Sequence, residues 1–200
     1  KSDWQFMGVK ARTNIAAFRS DYEQIQITVP LVVNGIPSEA TQNAGAATIQ
    51  GVELQGTIIP IDRVELTGYY SYNDASYNKY SGSTVNLPTF PFVEKNKYSL
   101  TAKYHLPTPA PIGDLSVAAT YTYQSSWRGS TANLPFDFVH GYGLLDLRLD
   151  WNEIYGYPLD ASLFVKNATD QIYKTGIFEV YQALGYVTTS YGPPQMFGVQ

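Results

Sequence analysis

The chain has 200 residues, a formal net charge of −4 and no cysteine, which argues against a nucleic-acid footprint and removes disulfides, thiol catalysis and cysteine metal sites. Charged residues make up 15%, below the roughly 25% usual in soluble domains, while hydrophobic residues reach 44% and aromatic residues 14%, with 17 Tyr among them. No run of ~18 apolar residues occurs, which excludes an ordinary transmembrane helix but not a transmembrane barrel, whose strands meet lipid only at alternate residues.

Taken in chain order, residues 1–8 read as a turn into the first strand. In that strand Val9, Ala11, Thr13, Ile15 and Ala17 form an apolar set, and Lys10, Arg12 and Asn14 a polar one. Successive side chains leave a pleated backbone on opposite faces, so a period of two is the strand signature. After Phe18 the phase weakens, and Arg19 to Tyr22 predict a bulge or a strand running out beyond the membrane. Residues 23–29 continue in extended form. Pro30 to Ala46 carries Asn34-Gly35, Pro37 and Asn43-Ala44-Gly45, and reads as a loop. The second clear strand covers 47–59, with Val52, Leu54 and Ile58 opposite Glu53, Gln55 and Thr57. Pro60-Ile61-Asp62 then closes a tight connection, because proline fixes φ and cannot donate to a ladder.

The third strand alternates most cleanly. Val64, Leu66, Gly68, Tyr70 and Tyr72 point one way, and Glu65, Thr67, Tyr69 and Ser71 the other. It runs into a long polar segment, 73–97. The fourth strand sets Tyr98, Leu100, Ala102, Tyr104 and Leu106 against Ser99, Thr101, Lys103 and His105, and Pro107 to Gly113 is a stiff short link. The fifth sets Leu115, Val117, Ala119, Tyr121 and Tyr123 against Ser116, Thr120, Thr122 and Gln124, before a long loop from Ser125 to Gly141. In the sixth, Leu145, Leu147, Leu149 and Trp151 alternate with Asp146, Arg148 and Asp150, three charges that need water or mutual pairing. After a short link, 152–157, the seventh strand places Leu159, Ala161, Leu163 and Val165 opposite Asp160, Ser162 and Lys166, with Phe164 an exception on the polar side. Residues 167–194 read as a last long loop, and a final strand starts near Met196.

Short links at 60–62, 107–113 and 152–157 thus alternate with long loops at 30–46, 73–97, 125–141 and 167–194. Outer-membrane barrels have this asymmetry of short periplasmic turns and long extracellular loops. Tyr70, Tyr72, Tyr121 and Tyr123 fall at the long-loop side, and Tyr104 and Trp151 at the short-turn side, as aromatic girdles do. The predicted fold class is all-β, an antiparallel up-and-down transmembrane β-barrel wall of about eight strands. Two alternatives stay open at this point. Eight strands can close into a stand-alone small outer-membrane barrel with a structural or adhesive role. Tyr-rich strands also suit a soluble β-sandwich binding module.

Three segments resemble the C-terminal barrel region of TonB-dependent outer-membrane receptors. Asn43-Ala44-Gly45-Ala46-Ala47-Thr48-Ile49-Gln50-Gly51-Val52-Glu53 is similar to the family's strand opening N-A-G-x-A-x-x-x-G-x-E. Asn167-Ala168-Thr169-Asp170-Gln171-Ile172-Tyr173 resembles its N-L-T-D-x-x-Y segment, with Ala168 at the second position. Pro194-Gln195-Met196-Phe197-Gly198 resembles the P-R-x-x-G entry to the last strand, with Gln195 in place of Arg. By order and spacing the resemblance covers essentially the whole chain.

The resemblance implies that residues 1–200 are a C-terminal segment of a larger barrel of roughly 22 strands, with the N-terminal plug absent from this sequence. It implies the bacterial cell outer membrane as location. It also implies non-enzymatic uptake of a scarce ligand such as a ferric siderophore. The implied partners are outer-membrane lipid, the TonB system through the missing N-terminal region, and an extracellular small-molecule ligand, metal chelates included. Lys1-Ser2-Asp3-Trp4 is not a charged-then-apolar leader and the last strand lacks a terminal aromatic, so the expectation is a piece of a longer chain. The first strand then needs a partner outside this sequence, because an open edge in lipid leaves backbone groups unpaired.

No catalytic constellation, cofactor motif or metal set is recognisable. His105 and His140 lie far apart without ligand spacing, and no nucleophile elbow occurs. Asn167-Ala168-Thr169 matches a glycosylation sequon for which a bacterial barrel has no use. The functional candidates are aromatic residues of the long loops, which offer contact area with a polar tip: Tyr77, Tyr80, Trp127, Phe136, Tyr181 and Tyr186, with Phe90, Phe92, Phe138 and Tyr191 beside them. Arg128 and Lys174 are candidates to attract an anionic ligand. For any single aromatic the plainer alternative is loop-to-loop packing.

Overall fold

The computed structural model describes residues 1–6, 8–80, 87–131, 134–179 and 181–200. The chain runs β1 (Ser2–Phe6), β2 (Val9–Val33), β3 (Ile36–Ile61), β4 (Val64–Tyr80), β5 (Asn96–His105), β6 (Asp114–Gln124), β7 (Trp127–Arg128), β8 (Phe138–Val139), β9 (Tyr142–Asn152), β10 (Ala161–Lys166), β11 (Lys174–Glu179), the four-residue helix α1 (Tyr181–Leu184), β12 (Val187–Tyr191) and β13 (Met196–Val199). Nine strands pair into one antiparallel sheet in the order β1-β2-β3-β4-β5-β6-β9-β10-β13. β7–β8 and β11–β12 are separate hairpins inside two connections, so the wall itself is a simple up-and-down meander.

The alternation seen in the sequence fixes the register. A one-residue slip of any strand would move its whole apolar set to the other face. Trp4, Ala11, Ile58, Leu66, Ala102, Ala119, Leu147, Val165 and Phe197 stand opposite one another in turn, an unbroken apolar row across all nine strands. The neighbouring row on the other face is Asp3, Arg12, Thr57, Thr67, Thr101, Thr120 and Asp146. Its members bond to each other: Arg12 to Asp3 at 2.6 Å, Thr57 with Thr67 at 3.2 Å, and Thr101 with Thr120 at 2.9 Å. The charges of β9 pair as their spacing required. Asp146 accepts from Lys166 at 2.7 Å, and Asp150 accepts from Arg148 and Ser162, each at 2.7 Å. Phe164, the exception on the polar face, lies across Gly198 on β13, where a Cβ would run into its ring.

Exposure is inverted relative to a soluble protein. Leu100 and Leu163 are 54% and 52% exposed, while Ser71 and Ser116 on the polar face are 4% and 3% exposed. In the register just given, the exposed apolar side chains form a continuous band rather than isolated points, and such a band marks a surface built for an apolar medium. Among the described residues the wall is one sheet without a second layer, which removes the β-sandwich alternative. Its edges, β1 and β13, each have one neighbour among the described residues, so the sheet is not a closed small barrel.

The boundaries differ from the sequence reading in several places. Residues 1–8 hold a strand, β1, rather than only a turn, which raises the wall from eight strands to nine. Pro30 to Ala46 is not a loop. Apart from register shifts between Glu23 and Gln26, β2 and β3 stay paired up to a two-residue turn at Asn34-Gly35, whose φ values of 53° and 80° are those of a type I′ hairpin turn. The expected bulge sits slightly later than Arg19–Tyr22, at Gln24, where φ is 55° and the β2–β3 register shifts. β4 continues to Tyr80, so the first eight residues of the segment 73–97 belong to the wall strand. Residues 167–194 contain β11, α1 and β12. Tyr80 and Asn96 bound a connection of which residues 81–86 lie outside the described residues.

Connections still alternate. The turns after β1, at Asp62-Arg63, at 106–113 and at 153–160 share one end of the sheet. The β2–β3 arm and the connections β4–β5, β6–β9 and β10–β13 share the other. At ~3.3 Å per residue, the 25 and 26 residues of β2 and β3 far exceed the 9–11 that a bilayer crossing takes. Their upper parts therefore stand clear of the band.

Candidate functional site

The long-connection end holds a second, differently built body. Ala47, Tyr77, Val139 and Ile177 are the buried hydrophobic residues among those described, and all four lie here. Tyr77 on β4 packs on Phe90 at 4.7 Å and edge-on to Tyr80 at 5.0 Å, with Ala47 and Ile25 against the same cluster. Burial, and then the neighbouring Tyr80, pushes the Tyr77 phenol above its usual pKa. Tyr80 reaches Thr131 in the β6–β9 connection at 3.4 Å. Phe92 donates its backbone N–H to Arg128 at 2.8 Å and sets its ring 5.6 Å from Trp127. Phe136 meets Tyr181 of α1 at 4.6 Å. α1 in turn lies against β2 and β3, and β11 against β8. Three connections and the arm thus form one packed body.

A buried carboxylate anchors its centre. Asp137 is 0% exposed and accepts from the Gly129 N–H at 3.3 Å and from the Ser130 hydroxyl. The Arg128 guanidinium stands 3.9 Å from it, donates to the Leu134 carbonyl at 3.1 Å, and lies 5.3 Å from the centre of the Phe138 ring. Gly129 is required by close approach, since a Cβ there would occupy the place of the Ile177 side chain from β11.

The structure therefore sorts the sequence candidates. Tyr77 is 4% exposed and serves packing. Tyr80 and Trp127 link connections. Phe136 and Arg128 line a pocket of about 440 Å³ together with Pro135, Phe138, His140 and Lys174. Tyr181 touches Phe136 beside it, and Tyr186 stands half-exposed in the turn between α1 and β12, outside that lining. Asp137 escaped the sequence reading; its one signal is an acidic residue set between Phe136 and Phe138-Val139, an apolar flank unusual for a solvated charge. A larger hollow of about 850 Å³ lies on the wall, lined by residues such as Val117, Leu147, Leu163 and Phe197 of the apolar row and its neighbours, where it faces the lipid side.

The motif residues prove to be joints of the frame. Asn43 accepts the Gly45 N–H at 2.9 Å where the arm meets the β4 register. Asn167, 4% exposed, donates to the Gln171 and Pro193 carbonyls at 2.9 and 3.3 Å and accepts the Gln171 N–H at 2.9 Å, so its amide is fully used within the fold. Gln195 donates its side chain to the Ala168 carbonyl at 2.7 Å and its N–H to Asp170 at 3.1 Å. The last connection is thereby tied shut at its base.

Residues 3–175 match the family described as TonB dependent receptor-like, beta-barrel. The chain belongs to this family. TonB-dependent receptor barrels sit in the bacterial outer membrane, and the apolar row of this wall is their lipid-facing surface. Solved structures agree in fold. The ferric yersiniabactin uptake receptor FyuA from Yersinia pestis superposes with a TM-score of 0.73 at 17% identity, covering 98% of this chain and 28% of that one. The siderophore receptor PiuA from Acinetobacter baumannii gives 0.69 at 20% identity, over 98% and 26%. The copper transporter OprC gives 0.71 at 14% identity, over 98% and 29%. The chain spans a little over a quarter of the length of these receptors.

Proposed function

We propose that residues 1–200 are the C-terminal barrel segment of an outer-membrane uptake receptor that binds a scarce extracellular ligand such as a ferric siderophore. Import would draw on the TonB system through parts of the receptor beyond this segment. The role is transport, with no enzymatic step. The observation that carries this reading is the nine-strand apolar row, joined to the family match over residues 3–175. The similar solved receptors support it by their own roles: ferric yersiniabactin uptake, siderophore reception and copper transport. Strands from the rest of the receptor would pair with β1 and β13, which hydrocarbon cannot leave open.

Two measurements test it. An antibody against residues 73–97 should detect, in purified outer membranes, a band several times heavier than 22.2 kDa. A band near 22.2 kDa would remove the segment reading. Cells with and without the receptor should then differ in accumulation of radiolabelled iron from a panel of ferric chelates, and a protonophore should abolish the difference. No difference across the panel would remove iron-chelate uptake.

A further inference from the structure

The pocket lined by Arg128, Phe136, Phe138, His140 and Lys174 has a charge and a wall chemistry that narrow what it can hold. Three basic side chains from two connections converge on it. Arg128 is offset by buried Asp137 at 3.9 Å. Lys174 makes no ion pair among the described residues, so the pocket carries a net positive charge. Two phenylalanines supply the remaining wall, and one of them already carries a guanidinium over its face, 5.3 Å from the ring centre. A planar ring can lie against Phe136 and Phe138 while its anionic edge meets the cations. The volume of about 440 Å³ suits one chelating arm of a ligand.

The site is also held in place before any ligand arrives. Arg128 is fixed from three sides by Asp137, the Leu134 carbonyl and Phe138. His140 meets Phe138 edge-on at 4.8 Å. Lys174 opens β11, the strand whose Ile177 locks over Gly129. A preformed cationic site spends little binding energy on ordering its own side chains.

We propose that Arg128, His140, Lys174, Phe136 and Phe138 form a subsite for an anionic, aromatic arm of the imported ligand, so that the receptor prefers aromatic anionic metal chelates over uncharged ones. This rests on the uptake reading above. The test uses the whole receptor purified in detergent, with a ferric tris-catecholate and an uncharged ferric tris-hydroxamate as probes and retained labelled iron as readout. Lys174→Glu and, independently, the exposed His140→Glu should each weaken tris-catecholate binding about tenfold or more. Lys174→Arg should restore it, and tris-hydroxamate binding should not respond to any of the three. Unchanged tris-catecholate affinity in both glutamate variants overturns the subsite and leaves uptake standing. A wild-type receptor that retains only the tris-hydroxamate does the same. A wild-type receptor that retains neither probe, and accumulates no chelate in cells, overturns the uptake reading and the subsite with it.

Discussion

Along β4, Ser71 and Tyr77 lie on the same face, six residues apart, under opposite rules. Around Ser71 the hydroxyl row occupies that face while Leu66, Tyr70 and Tyr72 turn outward into the apolar band. Around Tyr77 the same face closes over stacked rings, with Phe90 at 4.7 Å and Ala47 enclosed beneath. The wall is apolar outside and polar within, and the body above it buries its apolar groups as a water-soluble domain does. The switch takes place inside one continuous strand, because the solvent changes along its length: β4 stays paired with β3 on both sides of it, while its ladder with β5 ends at Tyr72. Stability therefore has two separate sources. The wall draws on lipid and register, and the upper body on packing and on the Asp137 anchor.

The largest expected effect breaks the wall alone. Leu147→Arg places a charge in the middle of the nine-strand apolar row, at a cost of about 2–4 kcal/mol at mid-depth. It should lower the fraction of receptor that assembles in the outer membrane, read by heat-modifiable gel mobility. Thr67→Arg, on the hydroxyl face, should be much milder. Equal tolerance of the two would reverse the faces assigned here. The next effect belongs to the upper body. Asp137→Ala takes the shared carboxylate away from the Ser130 hydroxyl and Arg128, while the Gly129 N–H keeps the Asp137 backbone carbonyl at 3.0 Å, and the loss costs about 1–3 kcal/mol. Protease should cut within 125–141 faster while assembly of the wall is unchanged. Loss of assembly as well would mean that the two regions fold as one unit. Smaller still is Thr101→Val, which deletes one rung of the hydroxyl row at 2.9 Å from Thr120, for about 0.5–1.5 kcal/mol. It should lower the thermal midpoint slightly and leave both the faces and the loops intact.

The same division explains what the sequence made legible. The wall could be read because lipid and water impose a period of two on every strand, so Leu145-Asp146-Leu147-Arg148-Leu149 declares its faces without knowledge of its neighbours. Motif spacing located the joints at Asn43, Asn167 and Gln195, although not what they bond. The upper body could not be read, because its contacts cross between connections. Nothing local to Gly129 announces Ile177, and nothing local to Tyr77 announces Phe90. The β2–β3 arm was misread for a different reason. Asn34-Gly35 is a strong hairpin signal, but Pro30, Pro37 and Gly45 around it are also loop formers, and strands that leave the membrane lose the alternation that marks them.

Tyr77 and Tyr186 sharpen the comparison at its small end. From the sequence both are loop aromatics of equal standing. In the fold Tyr77 is enclosed, while Tyr186 is half-exposed in the turn that leads from α1 to β12. Substitutions at such surface positions usually change stability by about 0.5 kcal/mol or less. Tyr186→Ala should therefore leave the thermal midpoint and the protease pattern of 125–141 unchanged. A clear loss of stability would show that the β11–β12 hairpin draws on Tyr186 for its seat against the arm, and the boundary of the upper body would move outward to include it. An unchanged profile places that boundary at Tyr181 and Phe136, whose rings meet at 4.6 Å. Aromatics beyond it are then free to meet whatever arrives from outside, and those within it hold the pocket's shape.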